Sequence, residues 1–346
     1  MDEDRNDLLA QVAMWYYEEG LDQAEIAARI NKSRSMVSRL LDQARESGLV
    51  EVKVHYPLRT DAGLGQRLCT DFGLQSAHVL AEPPEDYALL LKRLGQLGAR
   101  CLQQTLHPGV IVGISWGTAV HAVVSAMPSQ PVPGATVVQL IGAVGRGDPM
   151  VDGAELGRWL AQKLSASFRY LSAPMLVEDE AVAAALRRER TIEETLALAA
   201  RADVALIGIG TPQPELSSLL RAGYLSRSDM EALIAAGVVG DMVAHQFDEF
   251  GRWMDIPANR RAISLDVDSL RRIPRVIAVS GGVAKARAIL AGLRGRYCSC
   301  LVTDARAAQL VLEFARMSPA PATATGNSSP SVLGALTPVA DHLSVR

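Results

Sequence analysis

The chain has 346 residues, enough for two domains, and a hydrophobic content of 49% that supports a filled core. Aromatic residues make up only 5%, and Ala, Leu, Val and Gly carry the apolar load, which suits α/β layers and disfavours an all-β sandwich. The net charge of −3 excludes a chain-wide basic balance, so any nucleic-acid contact must come from a local patch.

Cys69, Cys101, Cys298 and Cys300 form no C-x-x-C pair. This spacing excludes a sequence-coded disulfide framework or zinc ribbon; reduced thiols and no metal are expected. Met1 to Asp7 is acidic and lacks a signal pattern, and no apolar run approaches the ~20 residues of a membrane helix. The expected location is the cytoplasm, with no membrane partner.

Residues 1–56 read as a helical domain ending in a short alternating strand over Leu49–Val54. Within it, Asp22 and Glu25 have capping-box spacing, and Ile26 and Ile30 share a helical face. Ala27 is small where two helices must cross, and Asn31 tolerates a left-handed turn. Ser33 can cap a second helix, in which Val37 and Leu40 point inward with Met36 or Leu41. Arg34, Ser35, Ser38 and Arg39 remain outward. They can donate to phosphates and base edges, as in the second helix of a helix-turn-helix.

Residues 1–56 carry seven Lys/Arg against eleven Asp/Glu, yet Arg29, Lys32, Arg34 and Arg39 fall in a stretch without an acid. The positive charge is therefore focused on one face. Lys32 stands where such motifs usually place an apolar residue, and it offers an extra phosphate contact. The bland alternative is a helical hairpin with a solvated face, or a module that binds other proteins. The caps, the small residue, the turn and the apolar pairs falling in register together favour DNA.

Pro57, Asp61 and Gly63 mark residues 57–65 as a linker. Residues 66–317 alternate strand-like runs with helical patterns: Val110–Ile114, Thr136–Ile141, Asp203–Ile207, Arg275–Val279 and Ser299–Thr303. Strands alternating with helices predict a Rossmann-like, doubly wound α/β domain, a parallel sheet covered on both faces. Ligands of such sheets sit beyond the strands' carboxyl ends. From residue 318 to 346 the Ser, Pro, Ala, Thr and Gly content predicts a disordered tail.

Two strand ends stand out. Ser280-Gly281-Gly282 closes one strand and opens a helix from about Val283 to Leu293, with Lys285 in its first turn. Glycines admit a ligand to the backbone, and free helix-start amides attract anions; an ordinary tight turn with a surface lysine is the alternative. Ser115-Trp116-Gly117-Thr118 repeats the layout ahead of a helix over Thr118–Ala126.

Gly210 ends a further strand run, and Asp241 follows an apolar pair, where a carboxylate can accept sugar hydroxyls or cap a helix. Gln139 lies on a strand, and its side chain can face ligand or solvent; His245 can face core or solvent. No P-loop or G-x-G-x-x-G pattern occurs, so neither nucleotide binding nor a cofactor is expected.

The stretches Met14–Gly20, Gln23–Ala27, Ser33–Leu41 and Ala44–Val50 resemble the SorC family of bacterial sugar-binding transcriptional regulators, DeoR-like in the Bacillus sense. So do Gly113–Thr118, Val138–Gly142, Gly208–Gly210, Gly240–Met242, Ser280–Gly282 with Lys285, and Leu301–Asp304. The resemblance spans about residues 8–314. It implies a winged-helix-like DNA-binding domain and an effector domain with the fold of sugar-phosphate isomerases. It also implies a homotetramer, or dimers that pair on DNA, acting as repressor or activator.

By position, the resemblance puts an effector phosphate at Ser115, Gly117 and Thr118, with Asp241 and Lys285 holding sugar oxygens or phosphate. It adds Gln139, Gly210, Gly281 and Gly282 to the effector site. Relatives that bind phosphosugars can carry Lys or Arg where this chain has Ile141, and Ala143 replaces a common glycine. These departures leave an uncharged sugar or polyol open. The rival function is a sugar-phosphate isomerase or deaminase with an appended DNA-binding domain. It requires a positioned acid and base, and Asp241 and Asp304 are isolated candidates rather than a pair.

Overall fold

The computed structural model describes residues 2–50, 58–143 and 153–318. The chain divides into two compact units, Met1–Pro57 and Leu58–Arg346.

The first unit holds α1 (Asp2–Tyr17), α2 (Gln23–Arg29) and α3 (Arg34–Glu46). Asp22 accepts from the amides of Ala24 (2.7 Å) and Glu25 (2.8 Å), and Glu25 accepts from the Asp22 amide at 2.8 Å. This reciprocal pair satisfies donors that a helix start leaves unpaired. Asn31 takes φ +51°, turning the chain between α2 and α3. Ser33 then accepts from the Met36 amide at 3.2 Å and starts α3.

The core of this unit is Leu9, Val12, Ala13, Ile26, Ala27, Val37, Leu40, Leu41 and Ala44. Burying each large aliphatic side chain stabilises by roughly 1.5–3 kcal/mol, so a core this small leaves little margin. Of the two alternatives left open on α3, Leu41 is the inward one at 1% exposure, while Met36 is 39% exposed. Trp15 and Tyr16 pack partly buried against this core, whereas Tyr17 is exposed and its hydroxyl accepts from Arg45 Nε at 2.9 Å. In the strand expected over Leu49–Val54, Val50 lies outside any strand, its amide donating to the Ala44 carbonyl. Residues 51–54 lie outside the described residues, as does the tail expected over 319–346.

The second unit is a seven-stranded parallel sheet, to which helices give two layers. Its strands are β1 (Ser76–Leu80), β2 (Ile111–Ile114), β3 (Thr136–Gln139), β4 (Ser167–Arg169), β5 (Val204–Gly208), β8 (Arg275–Val279) and β9 (Cys300–Asp304); β6 (Gly240–Met242) and β7 (His245–Phe247) form a separate hairpin. The helices are α4 (Ala62–Phe72), α5 (Tyr87–Gln103), α6 (Thr118–Ala126), α7 (Gly153–Leu164), α8 (Glu180–Arg187), α9 (Arg190–Ala199), α10 (Ser218–Arg221), α11 (Arg227–Ala235), α12 (Pro257–Arg260), α13 (Val267–Arg272), α14 (Ala286–Arg294) and α15 (Ala305–Met317).

The sheet order is β1-β9-β8-β5-β2-β3-β4. Residues alternate between its faces. Val204, Leu206, Ile277 and Val279 join Leu90, Leu94, Val120 and Leu160 in one core, beneath α5, α6 and α7. Ala205, Ile207, Val276 and Ala278 join Ala286, Ile289, Val311 and Leu312 in the other, beneath α14 and α15. Where α5 crosses α6, a Cβ at Gly95 would collide with the Ala122 backbone, and one at Gly98 would lie 2.7 Å from Val123. The missing side chains let the two helices touch.

The segment expected as a linker is structured from Thr60 onward. Thr60 bridges to Leu80, and Asp61 caps α4 by accepting from the Leu64 amide at 2.9 Å. Leu64 and Gly65 are buried, and a Cβ at Gly65 would lie 2.7 Å from the Ala77 carbonyl oxygen. Asp61 therefore begins an element where a breaker was expected. Among the described residues, no helix is long and apolar enough to cross a membrane.

Candidate functional site

From β2 the chain winds outward through β3 and β4; from β5 it winds the other way through β8 and β9. The direction reverses between β2 and β5, and the carboxyl ends of these two strands diverge there. A crevice results at the point where ligands of open α/β sheets bind. It is lined by Ser115, Gly117 and Thr118 after β2, Gly210 after β5, and Ser280 and Lys285 after β8. Asp241 of the β6-β7 hairpin and Tyr87 at the start of α5 complete the wall.

Gly117 stands at φ +108° as the residue before α6, with no side chain capping the helix. Only glycine adopts that backbone without strain. The first amides of α6 therefore point into the cleft unclaimed by a cap, a geometry that suits an anion. Ser115 is buried beside them, its own amide donating to the Leu206 carbonyl at 3.0 Å.

Lys285 is 8% exposed, and its ammonium donates to the Ile209 carbonyl at 2.9 Å. Burial pulls its pKa down to about 8, against the pull of Asp241, which favours the charged form. Burial also pushes Asp241 up to about 6, with Lys285 acting in the opposite sense. The two groups oppose one another's neutralisation across the cleft. The Asp241 carboxylate lies where a Cβ of Gly210 would be, and the Gly210 amide donates to the Asp241 carbonyl at 2.8 Å.

Six of the nine effector residues read from the sequence thus meet in one cleft: Ser115, Gly117, Thr118, Gly210, Asp241 and Lys285. Three do not. Gln139 is fully buried, its Oε1 accepting from the Leu171 amide at 3.2 Å and its Nε2 without a partner among the described residues. Gly281 packs with no room for a side chain between Asp304 and Leu94, and the Gly282 amide donates to Asp304 at 2.5 Å. That amide is therefore not free for a ligand. Asp304, read as a candidate carboxylate, is fully buried and also caps α15 through the Arg306 and Ala307 amides, both at 3.1 Å. His245 faces the protein: its Nε2 lies 2.9 Å from the Leu265 carbonyl oxygen.

Sequence reading missed Tyr87 and Ser218 as lining residues, and of the Ser280-Gly281-Gly282 turn it is Ser280, not the glycines, that lines the cleft. Tyr87 arrives from a helix start with no glycine signature, and Ser218 from the four-residue α10. Arg221 donates to Ser218 Oγ at 3.3 Å, and its positive charge reaches Tyr87 and Lys285. This cation comes from α10 and not from position 141, since Ile141 is fully buried in the core.

In the first unit, Lys32, Arg34, Ser35 and Arg39 are exposed and Ser38 is half-buried. The Ser33 and Ser35 hydroxyls are 2.9 Å apart. Arg29, the fourth cation of the stretch, is engaged elsewhere. Its guanidinium lies 5.4 Å over the Trp15 ring and 3.7 Å from Glu19.

Similarity to known proteins spans most of the chain. The family described as "Putative sugar-binding domain" matches residues 56–313. The deoxyribonucleoside regulator of Bacillus subtilis (strain 168) is 33% identical over 312 residues, covering 90% of this chain and 99% of that protein. The sorbitol operon regulator of Klebsiella pneumoniae is 30% identical over 308 residues, covering 88% and 98%. The crystal structure of the full-length sorbitol operon regulator SorC from Klebsiella pneumoniae superposes with a TM-score of 0.68, over 89% of this chain and 99% of that one, at 30% identity. These relatives are regulators, not the isomerases or deaminases that formed the rival reading. The chain belongs to the SorC family of sugar-binding transcriptional regulators.

Proposed function

We propose that this chain is a cytoplasmic, DNA-binding repressor of a carbohydrate catabolic operon, and that a phosphorylated sugar or polyol filling the cleft controls it. The observation that carries the reading is the convergence of the uncapped α6 start, Lys285 and Asp241 at the reversal point of the sheet. The amides of α6 with Ser115 and Thr118 take the anionic end. Asp241 accepts hydroxyls, and Lys285 binds phosphate or sugar oxygens. Arg221 at the rim supplies the positive charge that Ile141 does not. Two relatives are named for a sorbitol operon and for deoxyribonucleosides, which supports a polyol or sugar class of effector.

On DNA, α3 enters the major groove. Arg34, Ser35, Ser38 and Arg39 reach base edges and phosphates, and Lys32 adds a phosphate contact. The active form is a homo-oligomer, a dimer or tetramer. Effector binds one arrangement of the subunits more tightly, and by linkage changes the spacing at which paired α3 helices meet their half-sites.

The test is a gel-shift on the DNA upstream of the gene, with sugar phosphates and the matching free polyols added in parallel. The expected result is release of the fragment by a phosphorylated compound, and a Lys285→Ala protein that binds the fragment but no longer responds. Release by free polyols alone would overturn the phosphate assignment. No retardation at any salt concentration would overturn the DNA reading.

A further inference from the structure

Three residues far apart in sequence bring soft donor atoms together at the edge of the sheet. β1 pairs in parallel with β9, with Ser76 opposite Cys300. His78, two residues after Ser76, therefore faces the same side as Cys300. Cys101, near the end of α5, covers that side. The ligand atoms of His78, Cys101 and Cys300 all lie within 4.8 Å of one another. Ser76, paired with Cys300 across the two strands, lies on that same side. Cys101 is 3% exposed and Cys300 1%, while His78 is half-buried and opens the cluster toward solvent.

A core has no need of this chemistry. An apolar side chain at any of the three positions fills the same space, whereas two thiols and an imidazole converging on one point form a donor set. We propose that His78, Cys101 and Cys300 bind a thiophilic metal ion of the Zn(II) class, with the fourth position open toward Ser76 and solvent. Two sulfurs and one nitrogen match the ligand preference of such ions, and the cluster offers no carboxylate to a hard cation such as Mg²⁺. A tetrahedral ion with bonds of about 2.0–2.3 Å sets its ligand atoms about 3.3–3.8 Å apart, so the three atoms draw in by about 1–1.5 Å at most. On binding, both thiol protons pass to solvent and His78 coordinates as the neutral ring. The ion pins the edge pair β1-β9 to α5, the helix whose first residue, Tyr87, lines the effector cleft.

Cys69 and Cys298 provide internal controls, because both belong to the core on the opposite face of the sheet. The experiment titrates the full-length, tag-free, reduced protein with Co(II), then with Zn(II). The expected result is one Co(II) per chain with a thiolate charge-transfer band, displaced by one Zn(II). Cys101→Ser and Cys300→Ser lose the band and at least tenfold in affinity; Cys69→Ser keeps both. Should a variant fail to fold, alkylation of the wild-type protein decides: Zn(II) must protect Cys101 and Cys300 and leave Cys69 and Cys298 as reactive as before. Absent saturable uptake, uptake that survives loss of Cys300, or equal protection of all four thiols would overturn the proposal.

Discussion

Asp241 holds its carboxylate in the space that a side chain at residue 210 would need, while its carbonyl accepts the Gly210 amide at 2.8 Å. Glycine at 210 is thus a condition for placing the acid of the cleft. Gly210→Ala must push the carboxylate aside or distort the crossing. Overpacking of this kind costs roughly 1–3 kcal/mol, measurable by urea unfolding. Effector response should fall with it, as it should in Asp241→Ala. A Gly210→Ala protein with wild-type response would show that the carboxylate has no role in binding.

The Asp241–Lys285 pair makes stability depend on pH in two separate windows. Asp241 is raised from 3.8 to about 6, so the folded state holds its proton longer than the unfolded chain. Its contribution is complete below pH 3.8 and is lost as pH rises through 6. Lys285 is lowered from 10.5 to about 8, so the unfolded chain holds its proton longer. Its contribution is complete above pH 10.5 and is lost as pH falls through 8. Asp241→Asn should flatten the acidic window and Lys285→Met the alkaline one, each read from melting temperature against pH in difference from wild type. An unchanged alkaline limb in Lys285→Met would contradict the buried environment of this lysine.

Ser33→Ala removes the acceptor for the Met36 amide at the start of α3. The expected loss is about 1 kcal/mol, visible as a lower unfolding midpoint for the helical unit. Operator affinity should fall because α3 frays at the end that carries Arg34. Ser33→Asp, which keeps a capping oxygen, should restore the midpoint.

Arg39→Ala and Lys32→Ala separate two kinds of DNA contact. If Arg39 reads a base edge, its loss costs about 1–3 kcal/mol and relaxes preference at one position. If Lys32 meets a phosphate, its loss weakens all sequences alike and lowers the salt slope by about one unit. Fluorescence anisotropy on the operator and on a single-base variant, at several salt concentrations, distinguishes them. Identical salt slopes for wild type and Lys32→Ala would remove that contact.

The sequence makes the central strands legible and the edges opaque, for a physical reason. β2, β5 and β8 are covered on both faces and read as apolar runs, while β3 and β9 keep an apolar centre that ends at Gln139 and at Thr303 and Asp304. β4 is an edge strand of three residues with two of them exposed, and β1 carries His78 on its buried side, so neither shows such a run. In the cleft, the glycine turns and the Asp241 and Lys285 charges leave local marks. Tyr87 and Ser218 leave none, because tertiary folding alone brings them there. Gly281-Gly282 misleads for the same reason: its partner is Asp304, the last residue of β9 and more than 20 positions away, which consumes the amide that local reading leaves free. The thiol cluster is hidden likewise, since only the β1-β9 register and α5 unite residues 78, 101 and 300.

The crossing of α5 and α6, where Gly95 meets the Ala122 backbone, has a mechanical consequence. Side-chain layers between helices can slip and repack, absorbing small displacements; backbone resting on backbone has no such give. The starts of both helices, Tyr87 and Thr118, line the cleft. A molecule that bound in the cleft and tugged on either start would therefore move the two helices together, toward the end of α5 where Cys101 sits.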